Sequence, residues 1–316
     1  MPKQPKQPKQ PKQKPPKKKA PKRKHREPKV GPLGKIHGGK GDGKARMLAE
    51  LHPDLDSFDK HVEPCGGLAS VKMNLDIPAA GRIDIYNDIN ERLVNMFRQI
   101  RNNPEAMCIA LQTTLYSEAD FALANNPQHY EESNPIEQAR LTYIQYAMSF
   151  SGRMDQFSRT TKRIRRGMAS EVSAHLTKID ETLPMIVEIV RRWSIENWDI
   201  ATCIKKHDGP KTMFYIDPPY MLGTRSKGAR AVYDYEMTDE QHEELLKVLQ
   251  DVKGKVLLSG YYSELYQSKL KAPQWHSYGF AVNNQATGPG QPRPVITEHV
   301  WTNYVIKPKP KWLVKL

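Results

Sequence analysis

The chain has 316 residues, 38% of them hydrophobic, enough to bury a sizeable core either as one α/β domain with an insertion or as two domains. Its three cysteines, Cys65, Cys108 and Cys203, are widely spaced with no CxxC pair, which excludes a disulfide framework and offers no zinc-site spacing. The formal charge of +14 is concentrated at one end: residues 1–30 hold eleven Lys and two Arg against Glu27, a net +12, so the remainder is close to neutral at +2.

No apolar run approaches the length of a membrane span, and the N-terminus has no hydrophobic region of the signal-peptide kind, so the expectation is a soluble, cytoplasmic protein without a membrane partner. Residues 1–30 repeat Pro-Lys-Gln and then run into Lys17-Lys18-Lys19 and Lys22-Arg23-Lys24. That composition predicts a disordered basic tail, partly polyproline II, able to bind polyanions without reading sequence. A purely solubilising tail and a nuclear-import signal are the alternatives.

From Gly31 the composition turns globular. Ile36 to Lys44 is a glycine-rich loop leading into a helical pattern through Met47, Leu48 and Leu51, with Lys40 able to pair with a carboxylate or phosphate. It lacks P-loop spacing, so an ordinary flexible loop competes with a ligand loop. His61 to Val71 reads as a strand ending in a tight turn, Glu63-Pro64-Cys65-Gly66-Gly67, followed by a helix. The next strand, Arg82 to Asp88, ends on an acid 21 residues beyond Gly67, near the offset at which a carboxylate reaches the ribose of a nucleoside bound over the first turn. Asp88 could equally cap a helix, because Ile89, Leu93, Met96, Phe97 and Ile100 fall on one helical face after it.

Residues from about Pro104 to Met185 are mainly helical in pattern, with polar breaks at Asn125 to Pro127 and Ser133 to Pro135. Within them Arg159, Lys162, Arg163, Arg165 and Arg166 form a basic cluster interleaved with hydroxyls, suited to phosphate contact and guanine-edge readout. The competing reading is a solvated helix face. Leu183 to Val190 and Trp193 open a second half, and Ser194 to Ile200 reads as a short strand with Asp199 at its end.

Phe214-Tyr215-Ile216-Asp217-Pro218-Pro219-Tyr220 is a buried-strand pattern that stops at a carboxylate, two prolines and a ring. The prolines stiffen the exit and supply acceptors without donors, a corner suited to an exocyclic amino group: its hydrogens would go to Asp217 and the Pro218 carbonyl, its ring onto Tyr220. Met221 to Arg230 follows as a lid-length loop containing Arg225, a further candidate DNA contact. Thr238-Asp239-Glu240-Gln241 is a capping box for a helix carrying Leu245, Leu246, Val248 and Leu249. Lys255 to Gly260 is a buried strand, and two more lie near Ser277 to Val282 and Glu298 to Ile306, separated by a Gly/Pro-rich loop. Strands alternating with helices, with glycine turns at strand ends, predict an α/β fold whose doubly wound, mostly parallel sheet binds ligands at its carboxyl edge.

Taken in order, the Gly-Gly-Lys loop, the Glu-Pro-Cys-Gly-Gly turn, Asp88, the helical insertion and Asp-Pro-Pro-Tyr resemble the Dam-like DNA adenine-N6 methyltransferases, particularly phage and prophage members. The similarity runs from Gly31 to about Ile306 and includes Thr113 to Phe121, Asn134 to Gly152, Tyr235 to Asp239, Leu258 to Tyr261 and Thr297 to Tyr304. It implies a seven-stranded, Rossmann-like methyltransferase sheet in a catalytic domain of residues 31–104 and 186–316, with residues 105–185 as a helical target-recognition insertion. It implies S-adenosyl-L-methionine as cofactor, double-stranded DNA as partner, a flipped adenine as target, no metal, a monomer, and a setting such as restriction-modification or phage DNA methylation. By position, Ile36, Lys40, the turn Glu63, Pro64, Cys65, Gly66 and Gly67, together with Asp88, Asp199 and Ile200, correspond to cofactor contacts; Asp217, Pro218, Pro219 and Tyr220 correspond to the catalytic motif, with Asp217 also lining the cofactor pocket. The chain departs from the family at Ile36, where an aromatic is usual, at Cys65 and Ile200, where Phe is common, and at Ala69, where a glycine is usual. An N4-cytosine methyltransferase, an RNA or protein-glutamine methyltransferase and a catalytically dead DNA-binding relative are the other readings.

Overall fold

A computed structural model describes residues 30–36, 39–76, 80–159, 162–221, 235–283 and 295–316. The basic tail of residues 1–29, the 222–230 stretch of the expected lid with Arg225, and the Gly/Pro-rich loop 284–294 lie outside the described residues.

Helix α1 (Asp42–Glu50) precedes strand β1 (Lys60–Glu63), and β2 (Ile83–Asn87) follows after a connection whose only regular structure among the described residues is a 3-10 turn, Lys72–Asn74. The helix expected after the glycine turn does not form. Gly67 and Ala69 both take φ of +52°, which breaks right-handed helical propagation. Helix α2 (Glu91–Asn102) starts later than expected: Asn90, not Asp88, is its N-cap, accepting from Arg92 N, and Ile89 points to solvent while Leu93, Met96, Phe97 and Ile100 are buried. The helices α3 (Pro104–Gln112), α4 (Glu118–Ala124), α5 (Pro127–Glu132) and α6 (Pro135–Met148) follow. The polar breaks are helix starts, with Asn126 and Asn134 capping and a proline in each first turn.

Two small hairpins come next, β3 (Ser149–Phe150) with β4 (Arg153–Phe157) and β5 (Ile164–Arg165) with β6 (Met168–Ala169), then α7 (Ser170–Thr177), which passes through a π turn into α8 (Leu183–Val190). The basic cluster therefore sits on a hairpin, not on a helix face, with Arg166 and Gly167 at φ +52° and +77° as its two turn residues. Strand β7 (Trp193–Glu196) ends before Asp199, which is the N-cap of α9 (Ile200–His207); the expected strand over Ser194 to Ile200 is corrected to strand, turn and helix start. Then come β8 (Thr212–Ile216), α10 (Asp239–Gln250) behind the Thr238–Gln241 capping box, β9 (Lys255–Gly260), α11 (Glu264–Lys269), β10 (His276–Asn283), β11 (Val295–Thr302) and β12 (Val314–Lys315). The last long strand thus begins at Val295 and stops at Thr302, short of Ile306.

The sheet order is β12-β10-β11-β9-β8-β1-β2-β7. Strands β7, β2, β1, β8 and β9 are parallel, and β11 is antiparallel to both β9 and β10. Eight strands form where seven are expected, because the two-residue β12 adds to Tyr278 and Gly279 at the edge of β10. Alternate residues serve opposite faces. Val62, Phe214, Ile216, Val256 and Leu258 pack with Cys203, Ile204, Leu245, Leu249 and Tyr266 from α9, α10 and α11. Met213, Tyr215 and Leu257 pack with Ala45, Leu48 and Leu51 of α1. Tyr86 and Trp193 continue into one apolar cluster with α2 and the helices of the 105–185 region. Strand order reverses between β1 and β8, so their carboxyl ends open a crevice at the switch point. No helix among the described residues is long and apolar enough to cross a membrane.

Candidate active site

A cavity of about 330 Å³ opens at that switch point. Its walls include Ile36 and Lys40, the whole turn Glu63 to Gly67, Asp88, Asp199, Ile200, and Asp217 to Tyr220, so the structure brings together every expected cofactor and motif residue. The turn after β1 fits only a glycine at Gly66, where a Cβ would lie 2.3 Å from the Tyr86 ring and 3.2 Å from the Asn87 carbonyl oxygen. Asp88 pins this turn to the start of α2: Oδ2 accepts from Gly67 N at 2.7 Å and Oδ1 from Asn90 N at 2.8 Å. Burial nevertheless raises the Asp88 pKa, against the backbone donors that lower it.

Asn87, which sequence reasoning passed over, joins three strand ends. Its side-chain amide donates to the Pro64 carbonyl at 2.7 Å and the Trp198 carbonyl at 2.8 Å, and its Oδ1 accepts from Trp198 N at 2.8 Å. Asp199 caps α9 by accepting from Thr202 N at 2.9 Å; burial opposes its charge, but the hydrogen bonds from Thr202 and the backbone at the start of α9 together outweigh it and lower its pKa.

Glu63 is buried, and among the described residues its Oε1 has no hydrogen-bond partner. Burial pushes its pKa up to about 8, with Lys72 nearby working the other way. Cys65 replaces a ring with a small thiol whose Sγ accepts from Asp217 N at 3.3 Å, tying β1's turn to β8's end. Burial and the Asp217 charge raise the Cys65 pKa well above the ordinary thiol range, which favours the neutral thiol.

At the end of β8, whose five residues are all buried, Asp217 emerges with its side chain 18% exposed. Both described donors fall on one oxygen: Lys40 Nζ at 2.6 Å and Ser259 Oγ at 2.9 Å donate to Oδ1. Since the Ser259 proton goes to Asp217, Tyr215, 3.1 Å away, donates to Ser259. Lys40 Nζ also donates to the Tyr220 hydroxyl and lies 3.1 Å from Glu298 Oε1, while the Tyr220 hydroxyl donates to Glu298 Oε1 at 2.7 Å. The Tyr220 ring packs on Tyr261 with centroids 4.5 Å apart.

Burial opposes the Lys40 charge, but Asp217 and Glu298 outweigh it and raise the Lys40 pKa, so it remains an ammonium. Its two carboxylates divide unequally. Burial raises Asp217 despite Lys40, with the Glu298 charge adding to the rise, whereas Lys40 and Lys44 together overcome the burial of Glu298 and lower its pKa.

Glu298, Ser259 and Lys44 were not singled out in the sequence. The available signal for Glu298 was a carboxylate in the middle of a strand pattern rich in β-branched and aromatic residues, Val295 to Thr302.

Of the candidate DNA contacts, Lys162, Arg163 and Arg165 are exposed on or beside the β5–β6 hairpin. Arg159, after β4, is paired with Glu118, and Arg166 donates to Glu181 at 2.9 Å and Thr177 at 3.0 Å, so Arg166 already holds the hairpin to the neighbouring helix. Away from the cavity, Glu196, Cys203 and His207 place donor atoms within 4.8 Å of one another. The hydrogen bond between His207 Nε2 and Glu196 Oε2, at 2.8 Å, accounts for the closeness of that pair without an ion.

A family profile described as D12 class N6 adenine-specific DNA methyltransferase matches residues 41–279. Comparison with curated protein sequences returns no match.

Proposed function

Because the chain belongs to the D12 class N6 adenine-specific DNA methyltransferases, and so methylates the N6 amino group of adenine in DNA, we propose how its own residues carry that reaction. S-adenosylmethionine, when bound, supplies an electrophilic methyl group on a sulfonium. The residues present suit it: an unpartnered buried oxygen on Glu63, a glycine turn that admits close backbone approach, and an acid at the second strand end surround one cavity. Asp88 would take the ribose hydroxyls on lone pairs left after Gly67 and Asn90, Lys40, Ile36 and the Glu63–Gly67 turn would hold the amino-acid end, and Ile200 and Asp199 would receive the adenine end.

The amino nitrogen of adenine is a weak nucleophile because its lone pair is delocalised into the ring. An adenine turned out of the duplex, at a cost of about a few kcal/mol, stacks on Tyr220 and donates its two hydrogens to Asp217 and the Pro218 carbonyl. The acceptor on Asp217 is Oδ2, since Oδ1 is committed to Lys40 and Ser259. Taking both hydrogens favours a pyramidal nitrogen whose lone pair faces the methyl group, and Pro218 and Pro219 keep the corner stiff. No covalent enzyme intermediate is needed. Duplex DNA is held by Lys162, Arg163, Arg165 and the basic tail, with Arg225 as a further contact, and the protein acts as a cytoplasmic monomer.

The observation that carries this reading is the half-committed carboxylate of Asp217 at the mouth of the cavity. Asp217→Ala removes both acceptor oxygens and is expected to abolish methyl transfer while circular dichroism stays native; near-wild-type turnover would sink the mechanism. Nucleoside analysis of the methylated DNA is expected to give N6-methyladenine and no N4-methylcytosine.

A further inference from the structure

Glu298 is a fully buried carboxylate on β11, in a position where an unpaired charge would be strongly destabilising. It is not unpaired. Oε1 lies 3.1 Å from Lys40 Nζ and accepts from the Tyr220 hydroxyl at 2.7 Å, and Oε2 accepts from Lys44 Nζ at 3.2 Å. Through these contacts one side chain holds two members of the corner, and both of them touch the reacting region directly. Lys40 is shared at 2.6 Å with Asp217, and Tyr220 supplies the ring.

We propose that Glu298 is a positioning residue for methyl transfer: it shares the Lys40 ammonium, which lies 2.6 Å from Asp217 and 3.1 Å from Glu298, so that the cation does not quench Asp217 as a hydrogen-bond acceptor, and it fixes Tyr220 through its hydroxyl. This rests on the assignment of Asp217 as the acceptor of the adenine amino group. The Lys40 ammonium alone would neutralise Asp217 and weaken its pull on the amino hydrogens. Shared between two carboxylates, it organises the corner without quenching it. The Glu298 charge also acts directly, since a second anion close by makes Asp217 more basic.

Glu298→Gln keeps the size of the side chain and an oxygen for the Tyr220 hydroxyl but removes the charge. Among the described residues Lys40 is then left with Asp217 as its carboxylate. The expected result is a fall in kcat of roughly tenfold or more, with KM for DNA unchanged. Asp217 must be ionised to accept, so activity is lost as pH falls through its pKa; with the neighbouring charge gone that pKa drops, and the acid limb of the kcat profile moves to lower pH by on the order of one unit. A merely structural role would not move the limb. Glu298→Asp restores the charge on a shorter arm and is expected to keep the wild-type limb at reduced kcat; if the Gln variant does not fold, wild-type kcat in the Asp variant overturns the proposal. Wild-type kcat and limb in Glu298→Gln overturn it, as does a loss explained wholly by weaker calorimetric cofactor binding with the limb unmoved. Asp217→Ala in the same assay separates the two ideas. An active Asp217→Ala defeats the acceptor assignment itself, whereas a dead Asp217→Ala beside a wild-type Glu298→Gln defeats only the role of Glu298.

Discussion

Ala69 is held at φ +52° while buried just after the glycine turn, a conformation that costs an L side chain about 1–2 kcal/mol and glycine almost nothing. Relief of that strain is offset by the loss of a buried methyl, about 0.8 kcal/mol, and by the added entropy of the unfolded glycine, so Ala69→Gly is expected to stay within about 1 kcal/mol of the wild type, read from the denaturation midpoint with an unchanged slope; a larger loss would contradict the strain. Glu63 makes a second single-residue prediction, about pH. Its ordinary pKa of 4.5 rises to about 8 on folding because burial disfavours the charge. Its contribution is fully present below about 4.5, is lost as pH rises toward about 8, and changes no further above that, because folding holds the proton that the unfolded chain releases. Glu63→Gln carries no such proton, so its thermal midpoint is expected to gain on the wild type steadily between pH 5 and 8; parallel curves would contradict the assignment. At this scale the sequence was informative where chemistry is local. Asp-Pro-Pro-Tyr is four adjacent residues, and its stiffness and acceptors can be read from them. Glu298 and Ser259 act on Asp217 only because strands far apart in the chain lie side by side, and no spacing encodes that.

Elements carry their own lesson. Breaks at Asn126-Pro127 and Asn134-Pro135 were readable because a capping side chain and a first-turn proline are both local devices. Asp199 was assigned to a strand end because apolar alternation runs through Ser194 to Ile195 and a cap cannot be told from a terminal strand residue until the helix after it is seen. The basic run was harder, since Arg-rich segments suit a helix face and a hairpin alike; positive φ at Arg166 and Gly167 decided for the hairpin. That geometry divides five cations into two kinds. Arg159 and Arg166 are tied to Glu118 and Glu181, whereas Lys162, Arg163 and Arg165 are exposed on β5 and its approach. Arg163→Ala and Arg165→Ala are each expected to weaken duplex binding and to reduce the slope of log affinity against log salt by about one, with calorimetric cofactor binding unaltered. An unchanged salt slope in the double variant would remove the hairpin from the DNA interface.

For the whole molecule, alternating strands and helices with turns at strand ends were enough to specify a doubly wound sheet and to direct attention to its carboxyl edge, where the cavity lies. Which strands become neighbours was not legible: β11 inserts antiparallel between β9 and β10, and β12 adds an eighth strand through contacts of two residues. The insertion of β11 has a temporal side. Lys44 and Glu298 are 254 positions apart, and Lys40 and Tyr220 are 180 apart, so the clamp around Asp217 closes one of the longest loops the chain contains. A chain emerging from the ribosome has β1, β2, β7, β8 and β9, and with them the cavity walls, well before β11 is made. The methyl-transfer corner is consequently among the last features to be locked during synthesis, and an unfinished chain would hold its pieces without its alignment.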